Sequence, residues 1–210
     1  MAYLGTQPND VKKNTGLYTP SEILQLEKDG SWGGSLELIE RQTHTGDVNF
    51  IDFTDIKEDI FDVHYLTYNN LKVGSNNVSF GIQLYESGVL ETASVYHYAY
   101  QKIATNGTQY LGSTVSVFMF LDFSATGGGV GKPENAEVYL YNLGNSSQKS
   151  YMMSHGAGID AFAGAGTVPK TNFNGSVLPQ LSTVDGFRIV CSGAQNFTDF
   201  DVTLYGMKQK

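Results

Sequence analysis

Phe80-Gly81-Ile82-Gln83-Leu84-Tyr85 decides the fold: Phe80, Ile82 and Leu84 leave the chain on one side, Gly81, Gln83 and Tyr85 on the other. Such alternation marks a strand with one buried face, because successive side chains of an extended chain point to opposite sides. The same period runs outward in both directions. Val63, Tyr65 and Thr67 alternate with His64, Leu66 and Tyr68, and Val115, Val117, Met119 and Leu121 with Ser116, Phe118 and Phe120. Val138, Leu140 and Asn142 alternate with Glu137, Tyr139 and Tyr141, Phe187, Ile189 and Cys191 with Arg188 and Val190, and Val202 and Leu204 with Thr203 and Tyr205. Weaker segments near 35–41, 47–53, 94–103 and 149–154 bring the total to about nine or ten strands. Turn clusters such as Asn69-Asn70, Thr105-Asn106-Gly107 and Gly144-Asn145-Ser146-Ser147 separate them. Strands punctuated by turns, with no βαβ alternation, predict an all-β antiparallel sandwich, and at this strand number a jelly roll. Residues 115–121 and 137–142 are apolar or aromatic on both faces. An outer face there is expected to be covered, either by another subunit or by a loop of the same chain.

Composition narrows the partners. Only 16% of the 210 residues are charged, while Tyr (13) and Phe (12) are abundant, which fits a β surface rather than a helical bundle or a disordered tail. The net charge of −8 argues against nucleic acid and against an anionic membrane surface, both of which attract clustered Lys and Arg. Cys191 is the only cysteine, so no disulfide forms within the chain, and it reads as a small buried hydrophobe beside Phe187 and Ile189. Residues 1–15 lack the apolar stretch of a signal peptide, and no apolar run reaches the ~20 residues of a membrane span. The expectation is a chain made in a cytoplasm, without membrane insertion.

The first 31 residues differ from the rest. Residues 1–15 show no periodicity and read as an extended arm. Thr19-Pro20-Ser21-Glu22 is a capping box with proline at the first helical position, and Gly30 is a stop, so a short helix is expected between them. A helix this short is unstable alone. Its Ile23, Leu24 and Leu26 must dock on this chain's own sandwich or on a partner. The predicted organisation is an anchoring arm and helix over 1–31, then a sandwich over 32–210.

Motifs for chemistry fail on spacing or context. In Gly127-Gly128-Gly129-Val130-Gly131-Lys132, Thr126 stands where a phosphate loop needs its first glycine, and Pro133 where it needs Ser or Thr. Gly156-Ala157-Gly158-Ile159-Asp160-Ala161 matches a relaxed dinucleotide pattern, but the glycine-rich run up to Pro169 cannot form the helix that must follow. Residues 155–182 read as a long loop of small residues, ordered by a partner or by function. The acids Asp52, Asp55, Glu58, Asp59 and Asp62 lack calcium-loop spacing and read as a solvated turn. His44, His64, His97 and His155 form no zinc spacing, and no nucleophile elbow is present. No catalytic residue, metal ligand or cofactor is assigned. Tyr96, Tyr98 and Tyr100 share one face of a strand, where they either stack on sugar rings or pack between sheets or subunits.

Several segments together carry a family resemblance: Trp32-Gly33-Gly34-Ser35-Leu36-Glu37-Leu38-Ile39, Phe53-Thr54-Asp55-Ile56, Phe61-Asp62-Val63-His64, Phe80-Gly81-Ile82-Gln83, the run Tyr96-His97-Tyr98-Ala99-Tyr100, and Val202-Thr203-Leu204-Tyr205-Gly206-Met207-Lys208. The chain resembles virion-associated structural proteins of tailed bacteriophages, marine ones especially. Tyr3-Leu4-Gly5 with Pro8 is similar to the start of many phage fibre and appendage proteins, where that segment attaches to the virion. The resemblance spans nearly the whole chain. It implies a non-enzymatic β-sandwich of the virion, a tail-fibre or capsid-decoration component, commonly a homotrimer, assembled with other virion proteins. Tyr3, Leu4, Gly5 and Pro8 would then anchor it, with Ile23, Leu24 and Leu26. The alternative is a lectin-like module that reads host surface glycans through exposed Tyr and Asn side chains, with Tyr96, Tyr98 and Tyr100 as the candidate contact.

Overall fold

The computed structural model describes residues 19–21, 24–25, 36–75, 77–105, 107–125, 133–160 and 168–207. The chain divides between Ser35 and Leu36 into two units. In the first, the Thr19 and Ser21 hydroxyls are 3.2 Å apart and Leu24 is exposed. The expected arm, with Tyr3, Leu4, Gly5 and Pro8, lies outside the described residues, as do Ile23, Leu26 and most of the expected helix.

The second unit is all-β. In chain order its strands are β1 (Leu36–Val48), β2 (Phe50–Phe53), β3 (Val63–Val73), β4 (Val78–Glu86), β5 (Val89–Leu90), β6 (Tyr96–Ala104), β7 (Gly107–Ser116), β8 (Met119–Ala125), β9 (Glu134–Tyr141), β10 (Lys149–Asp160), β11 (Val168–Leu181), β12 (Val184–Cys191) and β13 (Phe197–Met207). Every pairing is antiparallel. One sheet has the order β1-β13-β3-β9-β10-β11-β6-β7, and the other β2-β12-β4-β8, with β5 also on β4. Among the described residues a single backbone pair, Asp160 with Ala125, links the two.

The alternating runs place the core. Leu66, Val138, Leu140, Val202 and Leu204 from the first sheet meet Phe53, Phe80, Ile82, Leu84, Phe187 and Ile189 from the second, all essentially inaccessible to water. Aromatic contacts bridge the layers: Tyr68 meets Phe80 edge-on at 5.8 Å, and Phe80 meets Phe197 at 6.0 Å. Close approach is secured at Gly206, where a Cβ would overlap the buried Phe61 ring.

Two expectations need correction. Residues 115–121 are not one strand: β7 ends at Ser116 and β8 starts at Met119. The Ser116 hydroxyl donates to the Phe118 carbonyl (2.7 Å) and accepts from the Phe118 amide (3.4 Å), closing a turn that sends the chain from one sheet to the other. Residues 155–182 are not a long loop either: β10 runs through Asp160, and β11 occupies Val168–Leu181. Their inner face is polar, with Ser154, Asp160, Lys170, Asn172, Asn174 and Ser176 all buried. A strand whose buried side is polar carries no apolar alternation.

Candidate functional site

The strands that extend the first sheet beyond β9 present a broad outer face, and its shape follows from register. Across β9, β10, β11, β6 and β7 one row of paired residues reads Tyr139, Met153, Gly175, Ala99, Gly112. The row one step along reads Glu137, His155, Phe173, Gln101, Tyr110. On the other side stand Tyr151, Val177 and His97. Small residues flanked by large ones make a trough across the strands, because side chains on one face rise from the pleat in parallel rows. Gly175 has no neighbour within 4 Å of where a Cβ would stand, so the floor there is open to solvent.

The trough has two compartments, of about 740 and 690 Å³, that share Ala99 and Gly175 as their floor. Its walls are aromatic and held in place. The His155 and Phe173 rings stack with centroids 4.4 Å apart and planes 7° from parallel. His155 Nε2 lies 3.2 Å from the Thr171 hydroxyl, which itself donates to the Gly156 carbonyl at 2.9 Å. Tyr110 is 74% exposed, and the Gln101 amide reaches its hydroxyl at 3.4 Å. At the inner end, Tyr65 and Tyr139 pack at 4.9 Å, and the Tyr65 hydroxyl donates to Glu137 at 3.3 Å. Burial raises the Tyr65 phenol above the usual tyrosine range and Glu137 adds to it, so the phenol stays protonated as a donor. His155 Nδ1 is 3.6 Å from Glu137 Oε1. These two side chains fall short of the three or four protein ligands of a zinc site. The wall offers flat apolar ring faces edged by an amide, a carboxylate, an imidazole and phenols.

The sequence-derived tyrosine stripe faces the other way. Tyr96, Tyr98 and Tyr100 do share a face of β6, but it is the inner one: Tyr96 and Tyr100 are buried, and Tyr98 packs on Phe120 at 4.3 Å. The Tyr96 hydroxyl donates to the Glu91 carbonyl and accepts from the Leu84 amide, both at 2.9 Å. Tyr100 donates to Asp122 at 3.0 Å. The two compartments touch Tyr100 and Tyr98, but the hydroxyls of Tyr96 and Tyr100 are spent on the buried side, beneath the trough. The acids of 52–62 do not converge. Asp52 takes a two-pronged bond from Arg188 (2.7 and 2.8 Å), and Asp55 pairs with Lys57 (2.8 Å). Phe173, Tyr110, Met153 and Tyr139 were missed as site residues. The available signal was Tyr151, Met153 and His155 alternating with Ser150, Met152 and Ser154, large residues on a face whose opposite side was too polar to read as core.

Comparison with protein families, curated proteins and solved structures finds no match to this chain.

Proposed function

We propose that the chain is a structural subunit of a bacteriophage particle, with the 32–210 region folded as a jelly roll and the first 31 residues as its anchor. The strand pairing carries this reading. β1 with β13, β2 with β12, β3 with β9 and β4 with β8 form successive segments of one antiparallel ribbon. Folding that ribbon over brings β13 onto β3 and β12 onto β4, so the two sheets read β1-β13-β3-β9 and β2-β12-β4-β8. A folded ribbon of eight strands is the double Greek key of viral capsid and lectin domains. The hairpins β6–β7 and β10–β11 are additions between its strands that widen one sheet. A fold hosts many functions, so the outer face bears the functional weight. In a homotrimer, the exposed aromatic wall of the trough supplies apolar area for a subunit contact.

A second reading is favoured by the trough itself. Ring faces edged by hydrogen-bonding groups suit pyranose sugars, whose own faces are apolar and edges polar. Among the described residues the trough's ionisable groups besides phenols are glutamate and histidine, on a chain of net charge −8, so the fitting ligand is a neutral glycan.

Light scattering on wild type and Phe173→Ala/Tyr110→Ala, with a neutral-glycan array, separates the two. A trimer of three 22.9 kDa chains that the double substitution dissociates supports the subunit contact. Glycan binding lost at unchanged mass supports the lectin reading. A wild-type monomer that binds no glycan overturns both assignments of the trough.

A further inference from the structure

Beneath the trough, between the inner face of its strands and β8, lies a group of buried charges. We propose that Lys170 and Asp122 are the precursors of an intramolecular isopeptide bond, formed by the folded chain itself with Glu134 as proton carrier.

The three side chains come from three strands and are sealed from water. Lys170 on β11 pairs with Asp122 on β8, both side chains fully buried, and its Nζ is 3.2 Å from Oε1 of Glu134 on β9, 3% exposed. Asp122 Oδ1 accepts from the Tyr100 hydroxyl (3.0 Å) and from the Asn172 amide (2.9 Å), while Oδ2 faces Lys170. Two donors on one carboxylate oxygen draw electrons from Cγ. They are also placed to stabilise the charge that this oxygen gains when a nucleophile adds. Gly158 makes room for the carrier, since a Cβ there would overlap the Glu134 carboxylate.

The step balances without any added reactant. The ammonium passes one proton to Oδ2 of Asp122, which frees the Nζ lone pair and leaves a neutral carboxyl. Nζ attacks Cγ of Asp122 and the C–N bond forms. Glu134 takes a second proton from the new bond's nitrogen and hands it to Oδ2. The Cγ–Oδ2 bond breaks, and Oδ2 leaves as water with the two protons that began on Lys170. Glu134 ends as it started, and an amide replaces an ion pair. Burial pulls the Lys170 ammonium down, but Asp122 and Glu134 outweigh it and leave it raised, so the ion pair is the resting state. The exchange is favoured because a dry interior penalises two charges more than one hydrogen-bonded amide. Fixed contact between the reacting groups supplies the proximity. Lys102 and Asp160, 2.9 Å apart and equally buried, are the natural contrast: among the described residues Lys102 has one carboxylate within ion-pair distance, so no second acid stands beside it to carry protons. The bond would tie β8 to β11, joining sheets that share one other backbone pair among the described residues.

The test is the intact mass of the full-length recombinant chain, denatured, followed by peptide mapping. The expected result is a mass one water below that of the sequence, with the peptides containing Lys170 and Asp122 joined. In E134Q the full sequence mass should return while circular dichroism still shows a folded sheet. A folded wild type at full sequence mass overturns the proposal. So does a water loss that survives K170R, since cyclisation at Asp29-Gly30 or Asp185-Gly186 would then account for it.

Discussion

Lys102→Met should be among the most damaging single substitutions in the sandwich, and pairing it with Asp160→Val should restore most of what it removes. Lys102 Nζ lies 2.9 Å from Asp160 Oδ2, with side chains 4% and 2% exposed. Folding strips water from both ions at several kcal/mol each, and their attraction offsets that only while both are present. Removing the ammonium alone leaves a buried carboxylate without its counter-ion, a loss of about 3–5 kcal/mol. For a unit of this length, about 2–4 °C of Tm per kcal/mol converts this to a fall of roughly 6–20 °C. The double substitution removes both ions and fills their space with apolar atoms, and should return to within about 1 kcal/mol of wild type. The assay is a double-mutant cycle by urea denaturation, followed by circular dichroism. A single variant within about 1 kcal/mol of wild type would refute the reasoning, because the pair would then be hydrated in solution. A double variant as unstable as the single one would refute it too, since packing rather than charge would be at fault.

Two further outcomes follow from the packing and the buried imidazole. His64 is buried, its Nε2 donates to the Ile56 carbonyl at 2.7 Å, and its Nδ1 has no partner among the described residues. Burial holds its pKa below the ordinary 6.5, outweighing the carbonyl that favours the charged ring. The unfolded chain therefore takes up this proton first, and the stability present above pH 6.5 is lost as pH falls through the lowered value. Thermal melts from about pH 7 down to 5 should show this slope and lose part of it in His64→Phe; identical slopes would rule His64 out as its source. Gly206→Ala drives a Cβ into the Phe61 ring and should destabilise by about 1–3 kcal/mol, whereas Gly175→Ala meets open space and should leave the melt unchanged. If both variants melt alike, Phe61 does not rest on Gly206.

The division between what was and was not legible follows the residues. The apolar alternations of 63–68, 80–85, 187–191 and 202–205 each became a strand of the core, because period-two apolar patterning reports burial against hydrocarbon. The start of β10 was legible as the weak segment 149–154, but its second half and all of β11 escaped because their buried residues are mostly Ser, Asn, Lys and Asp, which look like loop composition when read along the chain. The stripe of Tyr96, Tyr98 and Tyr100 was legible as a shared face. Which side it took was not, since phenols serve equally in a core and on a surface.

The sequence by itself determined an all-β chain whose apolar runs build one core, because alternation is a local property that each strand states alone. Only the tertiary structure decided that Gly175, Ala99 and Gly112 lie side by side as a trough floor, and that Lys170, Asp122 and Glu134 meet beneath it. Those are matters of register between strands distant in the chain. Register is fixed by the packing of the whole sandwich, and a buried polar group leaves no trace in the sequence of the partners that will satisfy it.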